Sequence, residues 1–455
     1  MDADIAFLPL TELAGLLRAR ELSPVEVTRH CLERIARFDP ALNAFITVTA
    51  ESALREAALA EQEIASGRWR GPLHGVPIAL KDLIDTAGVP TTAGSRVFAG
   101  RVPAEDAAVV TCLRAAGAVL LGKLNLHEFA YGGSGVISAF GAAHNPWDLT
   151  RITGGSSSGS AAAVAAGLCY AAVGTDTAGS IRVPAACCGI VGLKPTYGLV
   201  SAEGVVPLAV SYDYVGPLAR TVADCAAVLS VLVGEDFTPA PAPIAELRLG
   251  IPRGEFCDGL SPAVRQVWEG ALELWRSLGA EITEFNLEHS NDRALANAEA
   301  LAYHAPMLEH SSDLYDPRTL ARIRAGRVLS EDELQRLRAE LARQRERVTD
   351  VFRTVDLLVT PTMPVVAPEI AVMQGEDARA SELLLLRNTR PFNVLALPAL
   401  SLPCGVAEGL PVGIQLAGPP HSERALLGAA AGFEAHCGGF AAARESMQAR
   451  WAMRS

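Results

Sequence analysis

Lysine is nearly missing from this sequence. Its 455 residues include three, Lys81, Lys123 and Lys194, beside 36 arginines. Arginine serves wherever a permanent cation suffices; only lysine can release its proton near neutral pH and act as a base. All three lysines fall within the first 194 residues, and each reads either as a base or as a buried ion-pair partner. Positive charge is scarce as well. The formal net charge is −12, and no basic cluster interrupts it, which excludes a polyanion such as DNA or an anionic membrane surface as the partner. The nine cysteines contain no C-x-x-C pair, so a zinc ribbon or dithiol redox site is unsupported, and adjacent Cys187 and Cys188 read as small core residues. The longest uncharged run, Ile152 to Thr175, is too rich in Ala, Gly and Ser for a membrane span. The opening MDADIAFLPLTELAG is acidic where a secretory signal is basic, so the expected compartment is the cytoplasm.

What the chain does have is a glycine- and serine-rich stretch from Gly154 to Lys194, with seven serine and threonine hydroxyls between Ser156 and Ser180. It is too apolar for a linker. Its pattern predicts a tight turn over Gly155–Ser160, a buried small-residue helix over Ala161–Ala166 and a core strand over Leu168–Val173. A second turn over Gly174–Ser180 follows, and Pro184 is expected to end any helix beginning at Ser180.

Around that stretch, helices and strands alternate as in a layered α/β sheet. Ser23-Pro24-Val25-Glu26 is a capping box that opens a helix to about Arg37, and a second helix covers about Glu51–Ser66. The apolar run GVPIAL, Gly75–Leu80, delivers Lys81 at its end. A helix is expected over Ala107–Ala116, a strand over Ala118–Leu121 and a pocket-shaping loop over Leu124–Trp147. A helix over Thr221–Val233 and a strand over Arg248–Pro252 flank the proline run TPAPAPI, which reads as a surface crossing within one domain. Residues 261–355 read as charged amphipathic helices, including one over about Ser330–Phe352. Apolar segments then resume from Asp356, closed by a helix over Ser422–His436.

Nucleophilic catalysis needs a hydroxyl, a group to take its proton, and donors for the developing oxyanion. Ser180 meets the local demand, since it follows Thr177-Ala178-Gly179 in a turn where backbone N–H groups converge. It serves equally well as a helix N-cap. His74, His127, His144 and His304 are competing bases, but no G-x-S-x-G elbow is present. His127-Glu128 lacks the second histidine of a metal helix, and GGSSSGS lacks the G-K-[ST] ending of a phosphate cradle. The sequence calls for neither metal nor cofactor.

Lys81 in GVPIALKD, Ser156 in GGSSSGS and Ser180 in GTDTAGSIRVPA, followed by GIVGLKPTYG, closely resemble the amidase signature family. The order of the motifs and the 24-residue spacing of the two serines agree with that family, and the likeness extends to Leu410–Gly418. The resemblance implies an α/β fold with a large twisted mixed β-sheet flanked by helices on both faces. Residues 1–455 would form a single domain, with the helical insertion at about 261–355 covering part of the pocket. It implies a Ser-cisSer-Lys triad in which Ser180 attacks and Ser156, preceded by a cis peptide, relays the proton to neutral Lys81. The backbone N–H groups of Thr177, Ala178, Gly179 and Ser180 would hold the oxyanion. Ser157 would support Lys81, and Asp176 would pair with Arg182. Two positions depart from the family pattern: Ala178 and Ser158 stand where glycines are usual, changes that reshape the hollow and leave the triad intact.

The family hydrolyses amides of many sizes, and some members act on carbamates, ureas or biuret-type compounds. In one branch the family member is the A component of a tRNA-dependent amidotransferase, which releases ammonia from glutamine. PRTLARIRAGRVLSEDEL does not resemble the arginine-bearing stretch with which that component binds glutamine. The expected pocket walls, Tyr131-Gly132-Gly133, Val205–Tyr214 and Pro361–Asn393, are mostly apolar. They point to a stand-alone monomer or homodimer hydrolysing a neutral, fairly hydrophobic amide, anilide or carbamate (urethane). The alternatives are the A component of the tRNA-dependent amidotransferase, a biuret- or urea-type amidohydrolase, and a non-catalytic amidase-like member of an assembly.

Overall fold

A computed structural model describes residues 5–240 and 244–451. Part of the proline run, residues 241–243, lies outside the described residues. In chain order the strands are β1 (Phe45–Val48), β2 (Pro77–Lys81), β3 (Val119–Leu124), β4 (His144–Asn145), β5 (Asp148–Ile152) and β6 (Ala171–Asp176). They continue with β7 (Val191–Lys194), β8 (Tyr214–Ala219), β9 (Arg248–Pro252), β10 (Glu281–Phe285), β11 (Leu357–Pro361), β12 (Ala399–Ala407) and β13 (Leu410–Ala417). Among the described residues, β4 and β5 pair as a small hairpin, and the other eleven form one mixed sheet in the order β1-β3-β2-β6-β8-β7-β12-β13-β11-β9-β10. Every residue of β2, β6 and β8 is buried. Side chains alternate between the two faces of a strand, so the centre of the sheet is covered on both sides, and this is why these strands read as continuous apolar runs.

Two parallel neighbours position the site. β2 and β6 pair in register Ile78↔Ala171 and Leu80↔Val173, so their carboxyl ends emerge side by side. Clefts of open α/β sheets form outside such ends. β2 ends on Lys81, and β6 ends on Thr175 and Asp176. The helix Ser158–Ala165 delivers the chain to β6. All eight of its residues are buried, so it has no polar face, and only small side chains fit beneath the sheet.

Several boundaries differ from expectation for identifiable reasons. The first capped helix runs over Pro24–Leu42, past the expected Arg37, and closes on Asn43 in the left-handed conformation. The small-residue helix starts at Ser158 and the following strand is shifted to Ala171–Asp176. Pro184 does not end a helix: it lies in the first turn of Arg182–Cys188, where backbone N–H groups have no intrahelical partner to lose. The 261–355 segment contains the helices Pro262–Ser277, Ala294–Ser311, Pro317–Arg324 and Glu331–Arg347, and also β10, which forms one edge of the main sheet.

Candidate active site

Lys81 is fully buried at the end of β2. Its Nζ lies 2.7 Å from Ser156 Oγ and 2.8 Å from Thr175 Oγ1. Both partners are hydroxyls. Burial therefore dominates and brings the lysine pKa from 10.5 down to about 7, with Asp176 and Asp213 opposing from a distance. The peptide bond Gly155–Ser156 is cis. The next residue, Ser157, donates its N–H to the Ser180 carbonyl at 3.2 Å, so this segment adjoins the turn that carries Ser180.

The other two lysines separate cleanly from this one. Lys123, also buried, pairs with Asp82 at 3.3 Å and donates to Ile84 O and Thr91 Oγ1. Lys194 is stacked over the Tyr214 ring, 3.7 Å from its centroid, and donates to the Pro195 carbonyl. Neither reaches Ser156 or Ser180 among the described residues, and burial, with the Arg182 charge, lowers the pKa of Lys194 well below its ordinary value.

Ser180 follows β6 in the turn before Arg182–Cys188, 5% exposed and facing a narrow cavity. Asp176 organises this turn. Its carboxylate takes Arg182 Nη2 at 2.9 Å, Arg182 Nε at 3.0 Å and Asn393 Nδ2 at 2.8 Å. Burial alone would raise the pKa of Asp176, but the Arg182 charge and these hydrogen bonds hold it well below the usual carboxylate range. Arg182 in turn donates to Thr389 O and Gln415 Oε1. The predicted Asp176–Arg182 brace is thus present and extends into the last third of the chain.

The expected oxyanion donors divide. Gly179 N–H donates to Asp176 Oδ1 at 2.7 Å, so it braces the turn instead of facing the cavity. The N–H groups of Thr177, Ala178 and Ser180 have no protein acceptor among the described residues. Gly179 has φ +132°, and a Cβ there would fall on Thr389 Oγ1, which donates to the Ala178 carbonyl. Only glycine fits.

Other expectations shift. Among the described residues Ser157 makes no hydrogen bond to Lys81; its Oγ donates to Thr175 O, and Thr175 Oγ1 accepts from the lysine. Thr175 sits within the GTDTAGS motif, so its sequence position already carried the signal. Asp213 was not foreseen. It accepts from Thr177 Oγ1 at 2.6 Å and from the N–H groups of Leu208 and Ala209, while burial pushes it up to about 6. Of the two departures, Ala178 lines the cavity, whereas Ser158 turns away and donates to Asn125 O.

Tyr131 and Gly132 line the cavity above Ser180, with Leu208, Ala209 and Tyr212 from the second expected wall. Gly133 does not; its carbonyl accepts from Gly155 N–H at 2.8 Å, beside the cis bond. The expectation of a mostly apolar lining with few charged groups is also corrected in part. Arg293, Arg379 and Arg390 face the cavity, and no carboxylate is among the residues lining it.

A hydroxyl beside backbone N–H groups without a protein acceptor among the described residues, a second hydroxyl and a buried lysine that titrates at about 7 form the constellation of acyl transfer. The Amidase family model matches residues 26–427. The chain is 42% identical over 471 aligned positions to the A component of the glutamyl-tRNA(Gln) amidotransferase of Chloroflexus aurantiacus, covering 93% of this chain and 95% of that one. The fold superposes on a crystal structure of an amidase with TM-score 0.88 at 34% identity, covering 95% of this chain and all of the other. It also matches the peptide amidase of Stenotrophomonas maltophilia, with TM-score 0.82 at 32% identity over 94% and 96% of the two chains. The chain belongs to the amidase family, whose enzymes act on carbon–nitrogen bonds. No helix among the described residues is long and apolar enough to cross a membrane.

Proposed function

We propose that this chain hydrolyses amide bonds through an acyl-enzyme on Ser180. Ser180 Oγ adds to the carbonyl carbon while its proton passes through Ser156 Oγ to Lys81 Nζ. The N–H groups of Thr177, Ala178 and Ser180 receive the oxyanion. The proton returns along the same relay to the leaving nitrogen, so the amine departs neutral. Water then adds to the acyl carbon as Lys81 again accepts a proton, the bond to Ser180 Oγ breaks, that oxygen takes the proton back through the relay, and the carboxylic acid leaves. The carrying observation is the 2.7 Å contact between Lys81 and Ser156 in a fully buried site where burial lowers the lysine pKa to about 7. Among the described residues Ser180 Oγ makes no hydrogen bond to Ser156 in the free protein; such links commonly tighten only when substrate is bound.

For the substrate, two readings have support. The 42% identity to the A component of an amidotransferase, across nearly the whole chain, supports glutamine as the amide and a partner protein as recipient of the ammonia. The likeness to solved amidases supports a stand-alone hydrolase. A neutral anilide or carbamate has only the apolar half of the cavity in its favour, and the amidotransferase reading is the better supported of the two.

Mass spectrometry after treatment with a small neutral fluorophosphonate tests the mechanism. The expected result is one adduct, on Ser180, lost in Ser180→Ala and slowed at least a hundredfold in Ser156→Ala. An adduct on another residue, or full amide hydrolysis by Ser180→Ala, would overturn it. Ammonia release from glutamine, measured beside an aryl amide and an aryl carbamate, separates the substrate readings.

A further inference from the structure

The proposed reaction leaves one nearby carboxylate unused. β6 and β8 pair antiparallel with Asp176 opposite Tyr214, so the residues just beyond that pair, Thr177 and Asp213, meet at the same end of the sheet. Thr177 Oγ1 donates to Asp213 Oδ1 at 2.6 Å. Asp213 Oδ2 accepts the N–H groups of Leu208 and Ala209 at 2.9 and 3.0 Å. The first bond fixes one end of the turn that carries Ser180. The other two hold Leu208 and Ala209, which line the cavity that Ser180 faces. The rest of the turn is tied at Gly179 N–H by Asp176 and at the Ala178 carbonyl by Thr389. None of these bonds uses the N–H of Thr177, Ala178 or Ser180.

The three donors to Asp213 are all neutral, and it makes no ion pair among the described residues. In this it differs from Asp176, which shares its charge with Arg182 at 2.9 Å. Asp176 and Asp213 are the two carboxylates that act on Lys81 against the effect of its burial. A proton taken up by a fully buried lysine creates a cation that needs a facing anion. Asp213 is the anion that no arginine has already engaged. The other charged and titratable groups around the pair do not supply one. Arg182 and Lys194 act on Asp176, Arg345 donates to the Ser211 carbonyl, and Glu299 accepts from Ser211. Burial and the Arg322 charge lower the pKa of His127 well below its ordinary value, and burial raises the phenols of Tyr197 and Tyr214, so these three are neutral. Asp213 is half-buried and borders a second cavity of about 160 Å³ with Thr175 and Thr177. Burial carries its pKa only to about 6, so at neutral pH it is ionised.

We propose that Asp213 is a positioning residue of the Ser180 reaction: it fixes Thr177 in the oxyanion turn against the wall formed by Leu208 and Ala209, and it supplies the negative charge that faces Lys81 while that lysine holds the proton of Ser180. The inference rests on the Ser180 mechanism proposed above. Asp213 touches neither substrate nor the reacting atoms, and the proton stays on the relay of Ser156 and Lys81. One side chain thus acts on both ends of the transfer, on the donors that receive the oxyanion and on the base that receives the proton.

Two variants separate the two parts. Asp213→Asn removes the charge alone: its Oδ1 can accept both N–H groups and its Nδ2 can donate to Thr177 Oγ1, so three hydrogen bonds survive with the hydroxyl reversed. Thr177→Val removes the hydroxyl and leaves the carboxylate. The readout is the rate of Ser180 labelling by the neutral fluorophosphonate from about pH 5 to about pH 9, with urea unfolding to establish that each variant is folded. In Asp213→Asn the fall in rate at acid pH should begin at lower pH than in wild type, because a lysine without a facing anion releases its proton more readily. Its plateau should drop about three- to tenfold, because a weaker base drives the transfer. The two profiles should converge below about pH 6, where the wild-type carboxyl is itself protonated. Thr177→Val should lose about tenfold or more with its acid limb in place, and Thr177→Ser should recover most of that loss. An aspartate that served the fold alone would lower the rate without moving the limb. An Asp213→Asn limb at the wild-type position, or Thr177→Val labelled at the wild-type rate, overturns the proposal, and Thr177→Val decides by itself if Asp213→Asn does not fold. Wild-type protein that is never labelled on Ser180 overturns the Ser180 mechanism, and this inference with it.

Discussion

Replacing Lys81 with methionine is expected to abolish acylation and to stabilise the fold at neutral pH. The lysine is fully buried, and burial brings its pKa from 10.5 to about 7. In the unfolded chain it returns to about 10.4, and each pH unit between the two values corresponds to about 1.4 kcal/mol. At pH 7, where the folded lysine is itself half-protonated, protonation thus favours the unfolded state by about 4 kcal/mol. Between those values the unfolded chain binds the proton and the folded one does not, so native stability rises with pH from about 7 to about 10.5. Methionine has nearly the same volume and no proton to bind. It forfeits the hydrogen bonds to Ser156 and Thr175, about 1–2 kcal/mol each. The variant should be up to about 2 kcal/mol more stable than wild type at pH 7 and about 2–4 kcal/mol less stable at pH 10.5, the curves crossing between about pH 7 and 9. Urea unfolding across that range measures the difference. In parallel, wild-type kcat/KM should fall about tenfold for each pH unit below 7, as the neutral lysine is titrated away. A variant destabilised by the same amount at pH 7 and pH 10 would refute the reasoning, because it would mean that the folded lysine is charged and paired.

Lys123→Met is the opposite case. It leaves Asp82 buried without its cation, and the urea midpoint should report a loss of about 3–5 kcal/mol at pH 7. Gly179→Ala combines φ +132° with a collision against Thr389 Oγ1; fluorophosphonate labelling should slow at least about a hundredfold, and unfolding should come about 2 kcal/mol or more sooner. Ala178→Gly removes a methyl from the cavity wall. Its kcat/KM should rise a few-fold for branched acyl groups relative to linear ones, with stability changed by about 1 kcal/mol or less.

The sheet and the proposed triad were legible for different reasons. β2, β6 and β8 are buried on both faces, and that environment writes itself into the sequence as uninterrupted apolar runs. β10 left no comparable mark. It is an edge strand, none of its five residues is fully buried, and EITEF sits among charged helices. Lys81 and Ser156 are 75 positions apart, so no local pattern could join them; motif resemblance named them and the β2–β6 register explains their meeting. The three lysines look alike in sequence. Asp82 below one and Tyr214 beneath another distinguish them only in three dimensions. Arg293 is the clearest case of silence. It is one arginine among 36 in a helical segment, and no pattern along the chain records that it faces the cavity.

The brace around Asp176 also has a temporal consequence. All three residues of the proposed triad are encoded by position 180, yet the turn that presents Ser180 is held through Arg182 by Thr389, Asn393 and Gln415, more than 200 positions downstream. During synthesis the proposed nucleophile and its proposed base exist long before the residues that lock their geometry. The nascent chain is therefore expected to remain unreactive towards amides until β13 has formed. A truncated product ending before residue 389 would carry the whole catalytic signature and no activity, and in this way the enzyme is switched on by its own completion.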